Sequence, residues 1–482
     1  MQLYDKDLLS VQEVRELVEK AKAAQEELSQ KSQAEVDAIV KSIAYAGVRN
    51  AKRLAKLAHE ETGFGIEADK VIKNIFGSRD VYEHIKDMKT IGELGYDEEK
   101  KVRTIAVPVG VIAGLIPSTN PTSTAFYKSE ISIKAGNAIV FSPHPNARNC
   151  ILEAVKVIRQ AIAEAGGNEN LVSCITIPTI QATDNLMKHP DVALILATGG
   201  SAMVRAAYSS GTPAIGVGPG NGPAYIEKTA DLPLAVKRIM DSKTFDNGTI
   251  CASEQSVVCD KDMEDAVKAE MEKQGAYFLT DEQIAKLGKF ILRANGTMNP
   301  MIVGKSAQVI ADLAGIDIPA GTKVLVAKET GIGRGHPYSN EKLAPILAFY
   351  TADDYKEICR LVQDILHYEG AGHTFSMHTK DPEMVNYFAM RVPASRIIVN
   401  TPSALGGIGG TTGLMPSLTL GCGAIGGSAT SENVGPMNLL NKRHVAEGLL
   451  ELDEIKAGLP TCTDGVYSGP KAEDVDIDAV VN

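Results

Sequence analysis

The residues best suited to chemistry lie in TFDNGTICASEQSVV, residues 244–258, where Cys251 sits among small and polar side chains on a glycine-containing turn before a β-type run. A thiol so placed can face a cleft and receive backbone N–H groups, which is what a nucleophile forming a thiohemiacetal or a thioester needs. Residue type alone favours an inert buried thiol, and Cys259, inside the apolar run VVC, reads as core. A second window, HYEGAGHTFSMH, brings His367, His373 and His378 together. Their spacings of six and five cross a glycine break, put no two rings on one helix face and contain no H-E-x-x-H, so no metal site is expected. His373, beside Gly370 and Gly372, is the better candidate for an active-site role, with a satisfied core histidine as the competing reading.

Something must hold these groups in place. The run VRTIAVPVGVIAGLIP from Val102 is β-rich and too apolar for a one-sided surface sheet. A helix-compatible stretch at 123–134 follows, then the strand NAIVFSP, a helix over 149–165, the strand VSCITIP, a short helix and the strand VALILAT. This alternation predicts a parallel, doubly wound α/β domain, which binds ligands at the carboxyl ends of its strands. Those ends are Pro117–Asn120, Ser142–Pro145 and Thr198–Ser201. No G-x-G-x-x-G follows the first strand and there is no Walker A sequence. GVGPGNGP, residues 216–223, reads equally as a ligand loop or a tight crossover turn.

A second α/β segment with strands SVVCD, KVLVAK, ILAFY and RIIVN puts a domain boundary near residue 226. The domains expected are 1–225 for a dinucleotide, 226–430 for catalysis, and 431–482 returning to the first, with a strand pair near 88–109 for oligomerisation. The glycine-rich stretch 406–427 is long enough to be a functional loop, and the tail from Gly458, with Asp474, Asp476 and Asp478, a solvated surface segment. Amphipathic helices are expected over 9–28 and 35–61, the second stopped by Gly63 and Gly65. The first about 20 residues read as a helix on a core, or else as a detachable helix that binds another protein.

Composition narrows the class. With 482 residues, 44% hydrophobic and 23% charged, the chain can bury sizeable cores, which excludes disorder and fibres. A net charge of -11 argues against nucleic acid or an anionic membrane as the main partner. Seven cysteines without a C-x-x-C pair suit a reducing cytoplasm, and the start lacks the order of a signal peptide. Residues 397–431 are uncharged but too broken by glycine and proline for a lipid-facing helix; buried loop and strand are expected.

Together IPSTNP (116–121), FSPHP (141–145), ATGGSAMV (197–204), GVGPGNGP, DNGTICASEQS (246–256), EKLAP (341–345), GAGHT (370–374) and SLTLGCGAIGG (417–427) resemble the CoA-acylating aldehyde dehydrogenases, a branch of the aldehyde dehydrogenase superfamily. The likeness runs through nearly the whole chain in order, and the ordered set centred on CASEQS is its specific part. It implies an α/β fold with a Rossmann-type cofactor domain, an α/β catalytic domain and a small oligomerisation element. It makes Cys251 the nucleophile, Asn120 the side-chain donor of the oxyanion hole beside the Cys251 N–H, and Glu341 the acceptor of nicotinamide-ribose hydroxyls. Cofactor contacts fall on Ser118, Thr119, Ser142, Pro143, His144, Thr198, Gly199, Gly200, Ser201, Gly216, Val217 and Gly218. His373 is left to deprotonate CoA or to shape its channel.

The chain departs from hydrolytic relatives in two places. They resemble E-L-G-G-K-S-P where this chain has GVGPGNGP, so the water-activating glutamate falls on Val217 or a neighbouring glycine, and the acyl-enzyme must wait for the CoA thiol. They carry a lysine near FSPHP; here no Lys or Arg precedes Arg148, which favours NAD over NADP. Loops 118–126 and 401–415 contain no Lys or Arg, which favours acetaldehyde or propionaldehyde over succinic semialdehyde or sulfoacetaldehyde. A hydrolytic dehydrogenase and a non-catalytic assembly protein are the other readings. A homodimer or homotetramer is expected, in the cytoplasm or in a bacterial microcompartment whose shell residues 1–20 would engage, without nucleic acid or membrane.

Overall fold

The computed structural model describes residues 5–293 and 296–457. The tail from Gly458, including Cys462 and the three aspartates, lies outside the described residues. One compact unit comprises the chain to Ile91 and Pro108–Asn441; a second is formed by Gly92–Val107 and the residues from Lys442.

Within the larger unit the first sheet has five parallel strands in the order Val172–Cys174, Ala138–Pro143, Val111–Ile116, Val192–Thr198 and Ala214–Val217. Every residue of Val111–Ile116 and Ala138–Pro143 is buried, as a parallel sheet covered on both faces requires. Helix Gln33–Thr62 packs on helices Glu67–Ile75, Pro121–Lys134 and Arg148–Glu164. Ser32 and Glu35 form its capping box, and Gly63, at φ 64, ends it in the left-handed conformation that glycine adopts without penalty.

The opening helix, Lys6–Leu28, lies on a core, the first of its two readings. Val14, Val18, Ala21, Ala24 and Leu28 are buried in the same core as the five-stranded sheet. Val14, Val18 and Leu28 contribute about 1.5–3 kcal/mol each by that burial. Polar contacts fix it further: Glu13 accepts the Thr176 and Ile177 N–H groups, Ser10 bonds Thr179, and Lys22 pairs with Asp191.

The second sheet has seven parallel strands in the order Ala276–Phe278, Val324–Lys328, Ile346–Ala352, Glu254–Asp260, Gly222–Ile226, Gly372–His378 and Ala394–Val399. GVGPGNGP is the passage between the sheets: its first residues finish strand Ala214–Val217 and its last begin Gly222–Ile226. Gly222–Ile226, placed by the sequence reading at the end of the first domain, is thus an interior strand of the second sheet. HYEGAGHTFSMH, read as a histidine cluster, divides between the end of helix Tyr355–Tyr368 and strand Gly372–His378.

The run from Val102 also needs correction, because it is two strands in different sheets. Val111–Ile116 is the buried one, whereas Val102–Pro108 is largely half-exposed. The latter pairs antiparallel with Gly92–Asp97 in a three-stranded sheet completed by Leu440–Ala446. Gly110, at φ 125, makes the break between them. Among the described residues no helix is long and apolar enough to cross a membrane.

Candidate active site

Parallel pairing puts the amino ends of neighbouring strands along one edge of a sheet. At that edge of the seven-stranded sheet, Glu341 precedes Ile346–Ala352, Cys251 precedes Glu254–Asp260, Gly220 precedes Gly222–Ile226, and His373 opens Gly372–His378. The other three come together around Gly220. Its N–H donates to Glu341 Oε1 at 2.8 Å, and a Cβ added there would fall 1.9 Å from the Cys251 carbonyl oxygen and 3.1 Å from His373 Cε1. Only glycine permits that approach.

Cys251 is a free, half-buried thiol. Burial first, then the Glu341 charge and Cys422, push it up to about 12, while Arg396 pulls it down. Its resting form at neutral pH is the thiol. Glu341 is raised to about 8 by burial and by Glu369, whose carboxylate accepts the Glu341 N–H at 2.7 Å. His373 is buried and held well below its ordinary value by burial and by Arg396, so its ring is neutral. Nδ1 lies 2.9 Å from Thr374 Oγ1, while Nε2 is buried without a partner. Arg396 donates Nε–H to Thr374, one terminal nitrogen to Ser431 and Asn433, and the other to the His373 and Gly421 carbonyls. Its donors are consumed in tying the histidine strand to the glycine-rich loop.

Asn120 arrives from the other sheet, after strand Val111–Ile116 and as the residue before helix Pro121–Lys134. Its Nδ2 lies 3.4 Å from the Thr249 carbonyl, two residues before Cys251, and 3.3 Å from Thr119 Oγ1. Its Oδ1 accepts from Lys73 Nζ at 2.6 Å. Lys73 and Lys70 also share Asp246 Oδ2, at 2.5 and 3.0 Å. The sequence reading missed this buried cluster. Asp246 stood in the Cys251 window, yet its lysines lie 176 and 173 residues away, with no local signal to join them. Loop 118–126 holds no Lys or Arg of its own, but Lys70 and Lys73 reach Thr119 and Asn120 in it from helix Glu67–Ile75.

The remaining sequence candidates sit at the carboxyl edge of the five-stranded sheet. Strand order reverses between Val111–Ile116 and Val192–Thr198, and the loops leaving these strands carry Ser118, Thr119 and Thr198–Ser201. Gly200 precedes helix Ser201–Tyr208, whose first N–H groups have no helical acceptor, and a Cβ on Gly200 meets nothing within 4 Å. Gly199 and Gly218 are similarly unobstructed, with only Met203 at 3.7 Å from the former. Open backbone at a helix start fits a pyrophosphate.

Other candidates face elsewhere. Ser142 Oγ bonds Thr183 Oγ1 at 2.8 Å, Thr198 Oγ1 bonds Thr419 Oγ1 at 3.0 Å, and His144 Nδ1 accepts the Asn146 N–H. Pro143 and Val217 are buried strand ends. Gly216 is a packing glycine: an added Cβ would fall 2.7 Å from Val204 and 2.9 Å from Tyr208, whose hydroxyl bonds the Gly216 backbone. Among the described residues, no group of three or more His, Cys, Asp or Glu could hold a metal ion.

Residues 3–339 match the aldehyde dehydrogenase family. The chain belongs to that family. It is similar to the bifunctional aldehyde-alcohol dehydrogenase AdhE of Escherichia coli, with 46% identity over 91% of this chain and 50% of that protein. The chain thus spans about half the length of the curated relatives it matches first. An acetylating aldehyde dehydrogenase from Geobacillus thermoglucosidasius is 52% identical with a TM-score of 0.91, covering 93% of this chain and 99% of that one. A Rhodopseudomonas palustris propionaldehyde dehydrogenase, solved with bound CoA and an acylated cysteine, is 28% identical with a TM-score of 0.82, covering 90% and 97%.

Proposed function

We propose that the chain converts a short, uncharged aldehyde, NAD and CoA to an acyl-CoA and NADH through a Cys251 thioester. The observation that carries this is Cys251 at a shared edge with His373, with the Asn120 amide reaching from the other sheet to the Thr249 carbonyl two residues before it, while the place where hydrolytic relatives carry their base falls on buried Val217 or a neighbouring glycine. The likeness to acetylating and propionaldehyde enzymes supports it.

Gly199, Gly200 and the start of helix Ser201–Tyr208 would hold the cofactor pyrophosphate, and Glu341 the nicotinamide ribose. When bound, the cofactor supplies the acceptor for the aldehyde hydride. Cys251 attacks the carbonyl carbon once its proton has left, and the growing oxyanion takes N–H bonds from Asn120 Nδ2 and the Cys251 backbone. The acyl group then rests on sulfur, with no carboxylate at 217 to activate water. His373, neutral and with Nε2 unpartnered, is able to take the CoA thiol proton as that sulfur attacks.

Acylating relatives that act on succinate semialdehyde and sulfoacetaldehyde are each 38% identical. An anionic aldehyde needs a free cationic donor. Arg396 is spent on five acceptors and Lys73 on three, and Lys70 is directed to Asp246 and the Thr119 carbonyl, which supports an uncharged substrate. NAD rather than NADP rests on the absence of Lys and Arg between 142 and 147. Self-association through the smaller unit is supported by exposed Tyr96, Val445, Leu449, Leu450, Leu452 and Ile455 around a three-stranded sheet.

The test is NADH formation from acetaldehyde or propionaldehyde with and without CoA, repeated with succinic semialdehyde. Strict CoA dependence with the short aldehydes is the expected result. Full turnover without CoA would mean that another group activates water and would overturn the role given to residue 217.

A further inference from the structure

The oxyanion donor assigned above is a primary amide, and an amide can sit either way round. What fixes Asn120 is the group facing its oxygen. Lys73 Nζ carries three N–H donors and no acceptor, and all three are directed: 2.6 Å to Asn120 Oδ1, 2.5 Å to Asp246 Oδ2 and 2.8 Å to Thr249 Oγ1. The atom of Asn120 toward Lys73 must be its oxygen. The N–H groups then face Thr249 and Thr119 through contacts of 3.4 and 3.3 Å, long enough to be given up to a better acceptor.

The seat of Lys73 is itself elaborately held. Asp246 is fully buried in a left-handed turn at φ 48; its N–H donates to Asp69, and its Oδ1 accepts the Ile66 N–H at 2.6 Å. Gly65 makes room, since a Cβ there would fall 1.8 Å from Asp246 Oδ1. Thr249 donates to Asp246 Oδ2 at 2.7 Å while accepting from Lys73. Asp246 and Thr249 belong to the segment that leads into Cys251, so one carboxylate sets the nucleophile turn and the amide opposite it.

We propose that Lys73 is a positioning residue for Asn120: its ammonium, seated on Asp246 and Thr249, grips the amide oxygen, turns the amide N–H toward the space beside Cys251 and strengthens it as a donor. Strengthening follows because a cation on the oxygen draws electron density through the amide and makes its N–H more positive. This rests on the oxyanion reading of Asn120.

The experiment is a double-mutant cycle on CoA-dependent NADH formation from acetaldehyde, using Lys73→Met, Asn120→Ala and the pair. Lys73→Met is expected to lower kcat about 10- to 100-fold while the KM for NAD and aldehyde moves far less. A collapsed active site would move both. In the Asn120→Ala background Lys73→Met should cost less than about threefold more, because the group it acts through is gone. Should Lys73→Met fail to fold, Lys73→Gln, which removes the charge but keeps an N–H donor and leaves Lys70 paired with Asp246, takes its place in the cycle. Asn120→Ala slow with Lys73→Met at wild-type rate would overturn the inference and leave the oxyanion reading standing. Two losses that multiply in full would also overturn it. Asn120→Ala at wild-type rate would overturn the oxyanion reading itself.

Discussion

The two sheets of the larger unit use opposite ends of their strands. The five-stranded sheet offers its carboxyl edge, built of glycines and a helix start, with its hydroxyls turned inward to Thr183 and Thr419. The seven-stranded sheet offers its amino edge, where Cys251, Glu341 and His373 crowd on Gly220 with strongly shifted proton affinities. The first edge binds chiefly with backbone and open space, adding one side chain, the Asn120 amide, to the chemistry; the second reacts with side chains, Cys251 and His373, and adds one binding group, Glu341. Binding an anion needs unsatisfied N–H groups and no obstruction, which glycine supplies. Moving protons and making bonds needs titratable groups taken out of water.

If this division is right, substitutions at the two edges fail differently. Cys251→Ala should abolish turnover, by about 10⁴-fold or more, while binding of NADH, followed by its own fluorescence, persists; loss of both would join the edges into one site. Asn120→Ala should lower kcat by about 10²–10³-fold with a smaller change in KM, checked by steady-state kinetics. Gly200→Leu adds a side chain to open space at an ordinary φ of -66, so the melting temperature should hold. It should weaken NAD about tenfold, raising the KM for NAD more than it lowers kcat; a pure kcat loss would break the comparison.

The smallest effect sharpens the catalytic edge. With the Cys251 thiol at about 12, alkylation by iodoacetamide should climb about tenfold per pH unit from pH 7 to 9, as the thiolate fraction does. The Glu341 charge raises that thiol, so Glu341→Gln should lower it and speed alkylation at pH 9 by about threefold. Slower alkylation would make Glu341 the base that removes the thiol proton instead.

Much of this was legible in the chain. NAIVFSP, VALILAT, KVLVAK and ILAFY became strands because short apolar runs bounded by turns have few other ways to be buried. Gly63 stopped its helix because its left-handed φ suits glycine. The run from Val102 misled, because apolarity does not say which sheet a strand joins, and half of it went to a sheet exposed within this chain. The histidine window misled too, since a strand with His373 and His378 both buried cannot be told from a loop by spacing alone.

Sequence by itself determined the local things: the alternation of strands and helices, the small-residue turn that carries Cys251, and the glycines that open the cofactor edge. These follow from side-chain size, branching and backbone freedom within a few residues. Tertiary structure alone decided who meets whom. Lys73 finds Asp246 across 173 residues and Gly220 finds Glu341 across 121, and no periodicity encodes such partners. It also decided the chemistry of those groups, because burial and neighbouring charge, which exist only once the sheets have packed, set the proton affinities of Cys251, Glu341 and His373.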